Sequence, residues 1–136
     1  MTKEQENLEV VQKMFTAFGE GKIQEGLNIY SQDVDFQSPV TRAYPPEITW
    51  AKPRHSREQV AEYFKELFEK VQPERLETIW FTTQDDRVVV EGKNRGMVKS
   101  TGKSYEHDWV MVFTVRNDEI IRFRHYYDTA DIVIAF

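Results

Sequence analysis

The stretch "SYEHDWVMVFTVR", Ser104–Arg116, has the two unlike sides of a half-buried β-strand. At a strand's period of two, Tyr105, His107, Trp109, Met111, Phe113 and Val115 share one face, and Glu106, Asp108, Val110, Val112 and Thr114 share the other. Large aromatic and apolar groups crowd the first face, so it is the core face. The run before it, near 87–98, sets Val88, Val90, Gly92, Asn94, Gly96 and Val98 against Val89, Glu91, Lys93, Arg95 and Met97. The run after it, near 119–128, sets Ile121, Phe123, His125 and Tyr127 against Arg122, Arg124, Tyr126 and Asp128. With a further run near 76–83 and the turns "QDD", "STGK" and "ND", these make a four-stranded meander.

Helical spacing dominates the front of the chain. Leu8, Val11, Phe15 and Phe18 recur at steps of three and four, and Gly19 and Gly21 punctuate the stripe. Ile23, Leu27 and Tyr30 predict a shorter helix, and Val34, Phe36 and Ser38 a short first strand stopped by Pro39. From Val40 to His55 a loop carries Pro45, Pro46 and Pro53 beside Tyr44 and Trp50, and is too apolar to be a plain linker. It reads either as a lid over a cavity mouth or as a packed flap. Ser56 and Gln59 form a capping box, and Val60, Phe64, Leu67, Phe68 and Val71 predict a third helix up to Pro73. Helices in front and strands behind predict an α+β domain over 1–136, with three helices on one face of a curved, mostly antiparallel sheet.

The 136 residues carry 23 acidic and 18 basic side chains, a net charge of −5, so a nucleic-acid footprint is missing. There is no cysteine, which removes thiolate nucleophiles and cysteine metal sites together. The polar start "MTKEQENLEV" and the lack of a long apolar run predict a cytoplasmic protein away from membranes. No glycine-rich phosphate loop follows a strand, and the expectation is that no cofactor is used.

With the strands in register, the helix-facing side of the sheet combines Asn94, His107, Trp109, Phe123, His125 and Tyr127. Aromatic walls with a few converging polar groups are the composition of a pocket. The other reading is a closed polar seam in which His107, His125 and Asn94 bond one another or a backbone carbonyl. Gly92 and Gly96 favour the cavity, because they leave room. His107 and Asp108 point to opposite faces, so they do not share an ion, and His107 with His125 lacks a third metal ligand.

The element order and the words "SREQVAEYFKELF", "TGKSYEHDWVMVF" and "FRHYYDTADI" resemble the nuclear transport factor 2-like superfamily, among its members the SnoaL-like and ketosteroid isomerase-related proteins. The resemblance spans about residues 5–132 and implies a cone-shaped, cystatin-like sheet wrapped around its helices, a hydrophobic cavity, and a homodimer through the outer sheet face. The catalytic groups of the relatives do not carry over. Ser38 stands where ketosteroid isomerases place an aspartate before proline, and Met14 and Met111 replace their oxyanion tyrosine and aspartate. Gly92, Asn94 and His125 occupy the positions of the arginine and two aspartates of limonene epoxide hydrolases. SnoaL-type cyclases keep an acid/base aspartate near the place of His125.

Two functions follow as expectations. In the first, His125 is a general base tuned near neutral pH, His107 or Tyr127 supplies a proton, and Asn94 holds a carbonyl oxygen. Phe36, Ser38, Trp50, Trp109, Met111 and Phe123 then line the site of a small apolar carbonyl compound, which is isomerised, cyclised or dehydrated without a cofactor. In the second, the cavity binds a small hydrophobic molecule unchanged or supports a dimer, and the apolar tail Ile132–Phe136 covers the mouth or a partner chain.

Overall fold

The computed structural model describes residues 1–136. Thr2 and Gln5 close a capping box that starts helix α1, Lys3–Gly19, whose buried stripe includes Val11 and Met14. A short helix α2, Ile23–Leu27, follows. Tyr30, expected to end that helix, instead opens strand β1, Tyr30–Gln37. Spaced three residues from Leu27, it suits either element, and pairing with Ile120 of the last strand decides the matter. After a loop with a 3-10 turn at Thr49–Ala51 comes helix α3, Arg57–Lys70, its first turn capped by Ser56.

The third helix does not continue to Pro73. Val71 is already extended and begins strand β2, Val71–Gln84, longer than the run near 76–83. Pro73 pairs with Gly96 beside a bulge on what proves to be an edge strand, where a residue with no N–H to donate is tolerated. Strands β3 (Arg87–Val98), β4 (Ser104–Arg116) and β5 (Glu119–Tyr127) complete the meander, and a last short helix α4 spans Thr129–Val133.

The sheet order is β1-β5-β4-β3-β2, antiparallel except for the parallel β1–β5 pair. Gly92 lies opposite Trp109, Asn94 opposite His107, Trp109 opposite Tyr127 and Met111 opposite His125, so the faces align as the alternation requires. Helices α1 and α3 cover that aligned face. Phe36 and Phe123 stack at 4.6 Å in the core, and Phe15 of α1 meets Phe113 edge-on at 5.9 Å.

The glycines of β3 make room, but for aromatic rings of the next strand. A Cβ on Gly92 would run into the carbonyl oxygen of Glu77 and the Trp109 ring, and one on Gly96 into the Tyr105 hydroxyl. Gly92→Ala is therefore expected to destabilise the protein by about 1–3 kcal/mol or more, since a backbone oxygen has to move. Gly19→Ala, with no atom within 4 Å of the new methyl, is the control and should be near neutral in the same urea unfolding experiment.

Candidate functional site

Between α1, α3 and the covered sheet face lies a cavity of about 660 Å³. Its wall is mainly apolar, with Met14, Phe36, Phe64, Met111 and Phe123 among the lining groups. Asn94, His107, His125 and Tyr127 line the same space, so the four polar residues expected from the sequence come together. The two histidines are not bonded to each other. The Tyr127 ring stands between them, 4.9 Å from His107 in a near-parallel stack and 4.8 Å from His125.

Each histidine has its own partner. His107 Nδ1 lies 3.1 Å from Asp131 Oδ2, and the same oxygen accepts the Glu106 backbone N–H at 2.9 Å. Asp131 is placed by the start of α4, where the Asp128 side chain accepts its N–H and sets the helix entry. A carboxylate is acceptor only, so Nδ1 carries the hydrogen and Nε2 is the nitrogen left for a ligand. His125 Nδ1 instead meets Ser38 Oγ at 2.8 Å, and Ser38 Oγ meets the Tyr63 hydroxyl, also at 2.8 Å. All three residues are buried.

Electrostatics divides the polar groups further. Burial pushes the His125 imidazole down to about 3, with the nearby His107 adding to the effect. A near-neutral base at this position is thus not what the fold produces: too little water reaches the ring to stabilise an imidazolium. Burial also pushes Tyr63 up to about 12 and raises Tyr127 well above the usual phenol range, so both stay protonated donors. Two buried polar atoms have no partner at all: His125 Nε2, on a ring that lines the cavity, and Trp109 Nε1, on a ring outside the cavity wall packed edge-on to it at 5.9 Å.

Several expected ligand contacts sit elsewhere. Trp50 is 0% exposed and does not line the cavity; its Nε1–H donates to the Tyr127 hydroxyl at 3.2 Å and its ring lies 6.3 Å from Phe136. The 40–55 loop is accordingly a packed flap, with Tyr44 half exposed at its surface. Ser38 reaches the site only through His125, and Trp109 stacks on Phe15 within the core. The apolar tail folds back on its own chain: Ile132 lines the cavity and Ala135 is buried. Sequence reasoning missed Tyr63 and Asp131. Tyr63 stands three residues after Val60 on the buried stripe of α3, and Asp131 three residues after a helix-capping aspartate, so each had a local signal.

No helix is long and apolar enough to cross a membrane. No curated protein matches the sequence. Among solved structures, an NTF2-like protein of Burkholderia xenovorans is similar at 29% identity and TM-score 0.83, over 99% of this chain and 98% of that one. A Xanthomonas campestris protein provisionally named a polyketide cyclase is similar at 20% identity and TM-score 0.82, over 98% of both chains. TerC, crystallised with polyporic acid, is similar at 20% identity and TM-score 0.80, over 96% of this chain and 97% of its own. Those two likenesses concern the fold. The SnoaL-like domain profile matches residues 11–123, most of the chain, and together with the cavity-bearing sheet and helices it establishes that this protein belongs to the SnoaL-like family of the NTF2-like superfamily.

Proposed function

We propose that the cavity takes a small, mostly apolar carbonyl compound and that the protein moves a proton on it without a cofactor, in an isomerisation, an aldol-type cyclisation or a dehydration. The observation that carries this reading is the His107–Asp131 pair set in the wall of an otherwise apolar cavity. Asp131 fixes the ring and its tautomer, and it faces the charge that His107 acquires when Nε2 takes a proton. The roles expected from the sequence exchange: His107 is the base, while the neutral His125, Asn94 and Tyr127 are left to hold oxygen atoms of the substrate. The polyketide-cyclase name of one fold neighbour and the polyporic acid crystallised with another agree with this substrate class.

The test is exchange of the α-hydrogens of small aryl ketones in D2O, followed by NMR. His107→Ala is expected to slow exchange by about 100- to 10,000-fold with an unchanged circular dichroism spectrum. Asp131→Asn should lose less, because it disturbs orientation while leaving the base. Binding of the ketones without exchange by the unsubstituted protein would move the conclusion to passive ligand binding, a second reading favoured by the neutral state in which burial holds His125.

The proposal includes a homodimer in the cytoplasm. Its support is the outer sheet face, where Trp80 is 65% exposed and Tyr126 and Ile79 are also open. Trp80→Glu is expected to turn a dimer into monomers in light scattering, with the cavity intact.

A further inference from the structure

We propose that His125 is a neutral hydrogen-bond donor whose tautomer is set by Tyr63 through Ser38, and that its Nε2–H takes the carbonyl oxygen of the ligand. This inference rests on the cavity reading above and assigns a role to three residues that the proton transfer itself does not use.

The direction of the buried chain follows from counting hydrogens. The Tyr63 hydroxyl has one polar partner, Ser38 Oγ at 2.8 Å, and its proton goes there. Ser38 then has its own proton for the only remaining partner, His125 Nδ1 at 2.8 Å. Nδ1 is thereby an acceptor, and in a neutral imidazole the hydrogen sits on Nε2. The reverse chain would run from Nδ1–H to Ser38 to Tyr63 and leave the buried phenol proton without an acceptor among the residues around it. Burial, which pushes the imidazole down to about 3, keeps the ring neutral and so keeps this order in force.

A second observation agrees. His125 belongs to the cavity wall, and its Nε2 is buried with no partner in the protein. As a donor on a side chain that lines the cavity, Nε2–H is matched by a species that the wall lacks there, an oxygen acceptor. A carbonyl oxygen is such a group, and it accepts more strongly as negative charge develops on it. Apolar walls around a fixed donor select a ketone over the hydrocarbon of the same shape. Tyr63 and Ser38 are positioning residues in this scheme, since they act through His125.

Long-range nitrogen–hydrogen NMR of the full chain at pH 7 reads the tautomer directly. The expected spectrum has His125 protonated at Nε2 and bare at Nδ1; protonation at Nδ1, or at both nitrogens, overturns the inference without any variant being needed. The probes are 1-tetralone and tetralin, which differ by the carbonyl oxygen. 1-Tetralone should bind at least about tenfold more tightly and shift the His125 Nε2–H resonance, whereas tetralin should not. Tyr63→Phe and Ser38→Ala should mix the two tautomers and erase most of the preference, leaving tetralin affinity unchanged. Equal affinity for both compounds overturns this inference and leaves the cavity reading standing. Failure of both to bind removes the cavity reading and the oxygen contact with it, while the tautomer in the free protein still decides the Tyr63–Ser38 relay.

Discussion

Lowering the pH from about 6.5 towards 3 is expected to remove several kcal/mol of stability from this protein, with His125 as a principal cause. The imidazole is 8% exposed, enclosed by the rings of Trp109, Phe123 and Tyr127. Its folded value is pushed down to about 3 from the ordinary 6.5, first by burial and then by His107. In the unfolded chain the ring binds a proton once the pH passes below 6.5; in the folded chain it stays bare down to about 3. The unfolded state holds more protons throughout that window, so stability rises with pH across it. The contribution is fully present above 6.5 and is lost as the pH falls. Each unit is worth about 1.4 kcal/mol at full slope, and the whole window roughly 4 to 5 kcal/mol, a large share of a typical 5–15 kcal/mol. Urea unfolding at pH 7, 6, 5 and 4 measures the slope. His125→Gln keeps a polar group but removes the titration, and it should flatten the curve between 6.5 and 4. Parallel curves for the two proteins would mean that the ring is not held neutral in the fold. Asp35, held below the usual carboxylate range by its hydrogen bond to Arg124, loses stability in the same direction but at lower pH.

The faces of the strands were legible from sequence because alternation leaves no choice: a slip of one residue in β4 would put His107 and Trp109 in water and Glu106 and Asp108 in the core. Short turns then carry that register to β3 and β5. The ends of elements were less visible. Pro73 looks like a helix stop in any local window, and only the sheet order shows that it belongs to an edge strand. Tyr30 satisfies the helical spacing of its neighbours, yet a partner ninety residues on in sequence draws it into β1.

The candidate site divides along the same line. That His107 and His125 share a face was readable; what each one touches was not. Ser38 and His125 are 87 residues apart and meet because β1 inserts beside β5 in parallel, a pairing that no turn signal announces. Asp131 reaches His107 because the chain turns into α4 after Tyr127. The chemical difference between the histidines is set by these distant partners, one a carboxylate and the other a hydroxyl chain. A sequence reading that takes the ordinary imidazole value for His125 therefore misses what its burial does to it.

Arg54→Ala is expected to destabilise the protein by about 2–4 kcal/mol, although the residue lies in a loop and touches no ligand space. Its side chain is 3% exposed and serves the flap from inside. Nε donates to the Lys52 carbonyl at 3.2 Å, Nη1 to that of Gln59 at 3.4 Å and Nη2 to that of Trp50 at 3.3 Å, while Glu66 lies 3.5 Å away and the Tyr63 ring 5.8 Å below. Two backbone bonds between Arg54 and Phe36, 2.9 and 2.8 Å long, fasten the same residue to β1. Alanine keeps those two bonds and leaves the three carbonyls without their common donor, while Glu66 retains Lys52 at 3.0 Å. Arg54→Lys retains the charge but not the planar fork that reaches several acceptors at once, so it should recover only part of the loss. Arg75→Ala, a cation on the exposed edge strand, should change stability by less than about 0.5 kcal/mol and serves as the reference. The consequence extends to the cavity. The Trp50 carbonyl is one of the three acceptors, and Trp50 donates to the Tyr127 hydroxyl, so loosening the flap frees the ring that separates the two histidines. Ketone affinity is then expected to fall in Arg54→Ala even at temperatures where the protein is fully folded. A loss of under 1 kcal/mol with affinity unchanged would show that the flap is held by its apolar contacts alone.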